Sequence, residues 1–425
     1  MIYQDKVTLR KVLWSVAVVI AVIVIQHIPV YGISPKVVKS LFNSASPLRF
    51  TDTLTGGSMS QLAVGGFGVM SLIMAGIIIQ LLGVVYPKIE KIHADGEHGR
   101  RVFDRINMAL GIVITAGLGL LITVNMSHTS LYSVDGFLRV IPFLEWIVGT
   151  VAIIALSQSV HLHGIGNGMT MILAANIAAR IPSDIAMRMV FGQTWSNWCI
   201  AIVTLLVITV VAVYLQCGFI RVKIQQTRKT LSIMNAEGVI PIPMVASSVL
   251  PVVYAQSVIT LPTVVKVMNG WNDKMVPGWL KPWLDATNPQ NWYNPTNWTH
   301  IAGFVVYVGL ILLTAGYASK LSFSSAEVAN QMRERGDVIV DVAPGKESEL
   351  YLERRRKKLA RVGVILLLII TVVPDVVLSR LGVAGFSFMG TSLIIMMAAF
   401  WDLRLRITGR LKHHNSRYLL FGKKA

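Results

Sequence analysis

The residues that could do chemistry are few, and their spacing does not suit it. His161 and His163 in "HLHGIGNG" stand two apart, which sends their rings to different sides of a helix, and no third ligand stands nearby. Gly164, Gly166 and Gly168 could cradle a phosphate, yet no strand precedes them and no Gly-Lys-Ser/Thr follows. Letting the chain turn sharply is the better use for them. Cys199 and Cys217 are 18 residues apart near opposite ends of one apolar run, beyond disulfide reach along a helix, and they lack C-x-x-C spacing. No metal, cofactor or catalytic constellation is indicated, so an enzyme is not expected.

The remaining polar candidates lie inside long apolar stretches. Ion-coupled carriers hold a carboxylate, histidine or base near mid-membrane, because the coupling site must bind charge there. Here Glu145, Arg180 and Asp375 fall near the ends of their runs, and Gln80 and Asn176 are the interior candidates. Those two amides are either interhelical glue or pathway residues. A solute carrier is disfavoured on this ground; a pore with an apolar constriction stays open.

The elements that would position these residues are membrane spans. The chain has 425 residues, 54% hydrophobic and only 14% charged, well below the roughly one quarter charged of soluble domains. Ten runs are long enough to cross a bilayer: 12–30, 66–86, 106–125, 141–160, 168–187, 198–218, 239–265, 301–320, 359–378 and 386–402. The first has no small-residue cleavage pattern and is expected to be retained. The net charge of +18 is distributed by side. With ten spans, 29 of the 39 Lys and Arg fall on one side and ten on the other. The basic side is therefore expected to be cytosolic, with both termini there, and the charge is read as topology without a direct nucleic-acid partner. The segment 266–300 carries Trp271, Trp279, Trp283, Trp292 and Trp298, as an interfacial aromatic belt would.

Five ordered motifs now point to a family. "GGSMSQLAVGGFGVMSLIMAGIIIQLL" with "PKIEKIHADGEHGRR", "GIGNGMTMILAANIAARIP", "MNAEGVIPIPMVASSVLP", "SSAEVANQMRERGDVIVDVAPGKESELYLERRRKKLARVG" and "FSFMGTSLIIMMAAFWDL" together resemble SecY, the channel subunit of the Sec protein translocase. The resemblance implies an all-α integral membrane protein of ten transmembrane helices. Two pseudo-symmetric five-helix halves, 1–192 and 193–425, would surround a central hourglass pore, with basic loops at 219–236 and 321–358. It implies export of unfolded preproteins across the cytoplasmic membrane, and a lateral gate that admits signal sequences to lipid.

Carried residue by residue, the resemblance places a pore ring at Val69, Ile73, Leu173, Ile177, Met244 and Ile395, with Pro243 as the alternative to Met244. Both paired contributions have i,i+4 spacing and so share a helix face. A ring of aliphatics dewets when empty and resists ion leak. A plug half-helix is implied over Gly57, Ser58, Met59, Ser60, Gln61, Leu62, Ala63, Val64 and Gly65, since a non-spanning segment is tolerated at membrane depth only when protein encloses it. Span seven would carry Pro241, Pro243 and Pro251, which could ease lateral opening or merely kink the helix.

Nothing in the chain binds ATP, so the resemblance implies a SecA-type ATPase motor, with small SecE-like and SecG-like membrane subunits. Motor docking would fall on Arg221, Lys223, Arg228, Lys229, Arg333, Arg335, Lys346, Arg354, Arg355 and Arg356. The basic run is equally suited to anchoring topology. Departures narrow the reading. Ser71-Leu72 replaces the usual Pro-Tyr, Ala343 replaces a family arginine, and the loop between spans six and seven is short. These favour an accessory SecY of Gram-positive bacteria with few substrates, such as glycosylated adhesins. A housekeeping SecY serving co-translational insertion is the alternative.

Overall fold

A backbone inside a bilayer must satisfy its own N–H and C=O groups, so long apolar runs become helices. The computed structural model describes residues 2–33, 48–86, 96–125, 136–190, 195–226, 238–243, 250–269, 271, 275–292, 297–340, 342–380, 392–393 and 395–408. Along the chain these include α1 (Ile2–His27), α2 (Leu48–Leu54), α3 (Gly68–Val85), α4 (Gly96–Asn125), α5 (Val140–His163), α6 (Gly168–Val190) and α7 (Trp195–Cys217). They continue with β1 (Phe219–Gln226), β2 (Gly238–Pro243), α8 (Leu250–Met268), α9 (Lys281–Thr287), α10 (Trp298–Ser322), α11 (Ser325–Arg335), β3 (Asp337–Ile339), α12 (Lys346–Arg380) and α13 (392–393 and 395–408). Among the described residues, each expected span overlaps a helix, and the seventh begins as a strand. Leu9–His27, Arg101–Val124, Val140–His163 and Trp298–Gly316 are each long and apolar enough to cross a membrane.

The fold is mostly helical, with one addition that the all-α expectation lacked. β1, β2 and β3 form an antiparallel sheet in the order β2-β1-β3. In "FIRVKIQQ", Val222 and Ile224 are buried while Arg221 and Lys223 are exposed, the two-residue period of a strand with one covered face. The covered face packs on Ile242, Phe323, Met332, Ile339, Leu352 and Leu359.

Two helix starts move accordingly. Span seven was expected from 239, but Gly238–Pro243 pairs with β1 and the helix begins only at Leu250. A hydropathy reading merges the apolar strand "GVIPIP" with the helix after it. Pro241 and Pro243 fit there because β2 is an edge strand, where missing donors cost little. Of the three prolines assigned to opening span seven, these two are therefore strand residues. α12 starts at Lys346, so the basic run 354–358 is helical and continuous with span nine. Between them, α11 is capped at both ends: Ser324 Oγ accepts from Glu327 N–H at 3.3 Å, and Gly336 ends the helix at φ 74°.

The α5–α6 turn uses its glycines as expected. Gly166 has φ +102°, and side chains at Gly164 or Gly168 would run into Ser15 or the Ser157 carbonyl. The aromatic segment divides in two: Trp279, Trp283 and Trp298 are exposed, whereas Trp292 is buried against Tyr307 and Phe304. Trp292 is thus a packing residue and no part of a belt. The seam that matters most runs where α8 meets α3 and α4 while α10 meets α3. The short α2 lies between α6 and α8.

Candidate functional site

The aliphatics assigned to a ring come from helices distant in sequence. Val69 and Ile73 on α3, Leu173 and Ile177 on α6, and Ile395 on α13 are all buried and belong to one apolar cluster. Met244 lies outside the described residues, and its alternative, Pro243, ends β2. α8 sends Val253 and Tyr254 into the cluster. Gly76 on α3 permits that approach, since a Cβ there would lie 3.3 Å from the Tyr254 hydroxyl. Val253 went unseen because span seven was read as starting a strand too early.

A second residue that sequence reasoning missed is Leu54. It is fully buried, sits in the same cluster, and ends α2. The non-spanning helix is therefore Leu48–Leu54, upstream of the expected 57–65. A start signal was present, because Pro47 favours a helix beginning just after it. The stop was Gly56-Gly57, with φ +66° and +86°. Thr51 to Thr55 are all buried, so the segment is enclosed by protein as its depth demands.

Residues 57–65 form a compact turn that ties this helix down. Gly57 N–H donates to the Asp52 carbonyl at 2.8 Å, and Ser58 Oγ donates to the Thr55 carbonyl at 2.7 Å. Met59–Gln61 is one turn of 3-10 helix, ended by Leu62 in the left-handed region at φ 46°. Ser60 Oγ donates to the Gly57 carbonyl at 2.9 Å, and Ala63 N–H to the Ser58 carbonyl at 3.0 Å. The far end of the turn is held by α1 and α5. Val64 N–H donates to the Ile28 carbonyl at 3.0 Å, and Trp146 Nε1 donates to the Leu62 carbonyl at 3.3 Å. Gly149 is needed where Val64 passes, because its Cβ would meet the Val64 carbonyl. Met59, Leu62 and Phe67 pack here with Trp146, Ile122 and Val264, and the Phe67 and Trp146 rings meet edge-on at 5.2 Å.

α6 holds the near end with polar side chains. Asn176 Nδ2 donates to the Leu54 carbonyl at 3.0 Å, and Arg180 pairs with Asp52 at 2.9 Å. The other Asp52 oxygen accepts from Ser60 N–H at 2.8 Å. Asn176 is glue, but to the non-spanning segment. Arg180, expected near its span's end, is turned onto a carboxylate only 4% exposed. Gln80 is buried, and its Oε1 has no hydrogen-bond partner among the described residues.

The basic residues divide by burial. Arg221, Lys223, Arg333, Lys346, Arg354 and Arg355 are exposed, with the Arg355 guanidinium 5.2 Å from the Tyr351 ring centre. Arg335 lies on α11, while Arg228 and Lys229 lie outside the described residues. Arg356 is a correction. It is buried and donates to Ser319 Oγ of α10 at 3.1 Å, so it packs α12 on α10 and offers nothing to a docked partner. Among the described residues, no three His, Cys, Asp or Glu side chains gather as metal ligands.

Val69, Ile73, Leu173, Ile177, Val253 and Ile395, from four separate helices, share one buried apolar cluster with Leu54 at the end of the enclosed short helix. The SecY family profile matches residues 64–403. The chain belongs to the SecY family. It is similar to the protein translocase subunit SecY of Streptomyces galbus, at 26% identity over 96% of this chain and 95% of that protein. The SecY of Synechocystis sp. is 26% identical over 93% of this chain and 90% of its own. Among solved structures, "The structure of a protein conducting channel" shares the fold, with TM-score 0.63, 16% identity, and cover of 94% of this chain and 92% of that one. "The plug domain of the SecY protein stablizes the closed state of the translocation channel and maintains a membrane seal" describes another, at TM-score 0.61, 16% identity and the same cover. As a SecY family member the chain is a multi-pass membrane protein-conducting channel for translocation, and it is not an enzyme.

Proposed function

We propose that this chain exports unfolded preproteins across the cytoplasmic membrane through a waist lined by Val69, Ile73, Leu173, Ile177 and Ile395. Val253 takes the place first given to Met244. The observation that carries the reading is the single buried cluster these residues share with Leu54. An aliphatic constriction excludes hydrated ions yet makes no hydrogen bonds that would select among passing sequences. The plug is 48–65, with α2 as its helix. Residues 1–192 and 193–425 are the two halves, and the seam of α3 and α4 against α8 and α10 is the lateral gate. Both termini and the sheet face the cytosol, following the charge bias.

The motor is a SecA-type ATPase that docks on Arg221, Lys223, Arg333, Lys346, Arg354 and Arg355, with SecE-like and SecG-like subunits completing the complex. The short connection from β1 to β2 and Ala343 favour an accessory system with few substrates, such as glycosylated adhesins. The test is reconstitution in proteoliposomes with SecA-type motors and a signal-bearing preprotein. ATP-dependent protection of the preprotein from protease is expected. No protection with any such motor overturns the export reading; protection with a wide range of preproteins overturns the accessory one.

A further inference from the structure

α6 carries two rows on one stripe. Leu173, Asn176, Ile177 and Arg180 are spaced 3, 1 and 3 apart, so all four share a face. They span roughly 10 Å along the axis at about 1.5 Å per residue. Leu173 and Ile177 belong to the waist, and Asn176 and Arg180 hold the Asp52–Leu54 end of the plug. The plug's other end is anchored differently, by backbone bonds and apolar packing to α1 and α5 through Val64 and Leu62. Its internal bonds, including Ser60 N–H to Asp52, do not involve α6.

We propose that Asn176 and Arg180 are positioning residues that latch the plug to α6, so that a chain widening the waist at Leu173 and Ile177 pulls the latch open. This rests on the channel reading above and adds to it a release mechanism peculiar to these residues. The plug then swings as one unit about Leu62, whose left-handed backbone marks the change of anchor. Asp52 has two roles at once. One oxygen keeps the unit internally folded while the other is the catch. Gly56 and Gly57 let the catch close, since Cβ atoms there would lie 3.2 Å from Asn176 Oδ1 and 2.6 Å from Arg180 Nη1.

The test measures resting ion flux through reconstituted channels carrying Asp52→Asn, Arg180→Gln, or the exchanged pair Asp52→Arg with Arg180→Asp. External thiol labelling is read in parallel at Thr53→Cys and, separately, Ala63→Cys, with Cys199 and Cys217 replaced by serine. Each single change is expected to raise resting flux about tenfold, the shift given by a modest loss of closed-state preference. Labelling at Thr53→Cys should quicken by a similar factor while Ala63→Cys stays at the parent rate, and the exchanged pair, which restores the ion pair but loses the Asp52 acceptor for Ser60 N–H, should recover only part of the closure. Should a single variant fail to fold, Gly57→Ala displaces Arg180 while keeping both charges and carries the same readouts. Unchanged flux with unchanged Thr53→Cys labelling overturns the latch. Equal acceleration at both cysteines also overturns it, since that is general loosening. Neither result touches the channel reading, which preprotein protection decides separately.

Discussion

The apolar cluster that holds the proposed waist residues and the one beneath the sheet are built on opposite plans. The waist gathers Val69, Ile73, Leu173, Ile177, Val253 and Ile395 from four helices whose backbone bonds are all satisfied within each helix. Among the described residues it is side-chain packing that joins them, which suits the opening proposed above. The sheet cluster around Val222, Ile224 and Ile242 is crossed by backbone ladders from β1 to β2 and β3, and α11 and α12 close over it. Such a unit resists separation. The first cluster is held by packing alone along these six residues, the second also by backbone hydrogen bonds between strands.

Substitutions that tell the two plans apart should fall in a definite order. Ile73→Asn or Ile395→Asn places an amide in the waist and should let it wet, raising resting ion flux at least about tenfold. Single-channel recording checks this, and a parental resting conductance would remove those residues from the constriction. Ile242→Ala should cost about 2–5 kcal/mol through the cavity it leaves, lowering Tm and motor-driven transport while leaving resting flux alone. A leak in that variant would mean that the sheet and waist are not separable units.

Arg356→Ala should cost about 1–3 kcal/mol, because Ser319 loses its charged donor and a buried side chain is emptied. The pair Arg354→Ala with Arg355→Ala should leave the unfolding free energy within about 0.5 kcal/mol of the parent, as exposed substitutions do, and slow motor-stimulated export. The reverse pattern would exchange their assignments. The smallest effect is expected from Thr115→Val. Thr115 Oγ1 donates to Ser71 Oγ at 2.8 Å and lies 3.2 Å from Thr150 Oγ1, joining α4 to α3 and α5 within one half. Its loss should cost about 0.5–1.5 kcal/mol in thermal stability without altering flux.

Legibility followed the range of the interaction. Val69, Ile73, Leu173, Ile177 and Ile395 could be named because each sits in a local motif that needs no knowledge of its neighbours in space. The strand at 238–243 was misread as helix because hydropathy does not distinguish a short apolar strand from the helix that follows it. The short helix was expected within 57–65 and lies at Leu48–Leu54, because the apolar tract after Gly56-Gly57 drew attention from "LRFTDTL" before it. Arg356 stood inside a basic run, and composition offers no means of telling the one arginine that turns inward from those that face water.

By itself the amino-acid sequence determined the long apolar runs, the helical state of most of them and the scarcity of charge within them. Those follow from run length and local polarity, which a bilayer reads one segment at a time. Only the tertiary structure decided that Asp52 meets Arg180, that Leu54 reaches the waist and that Val253 joins it. Such pairings depend on how distant helices pack, and packing is a property of the assembled fold that no single segment contains.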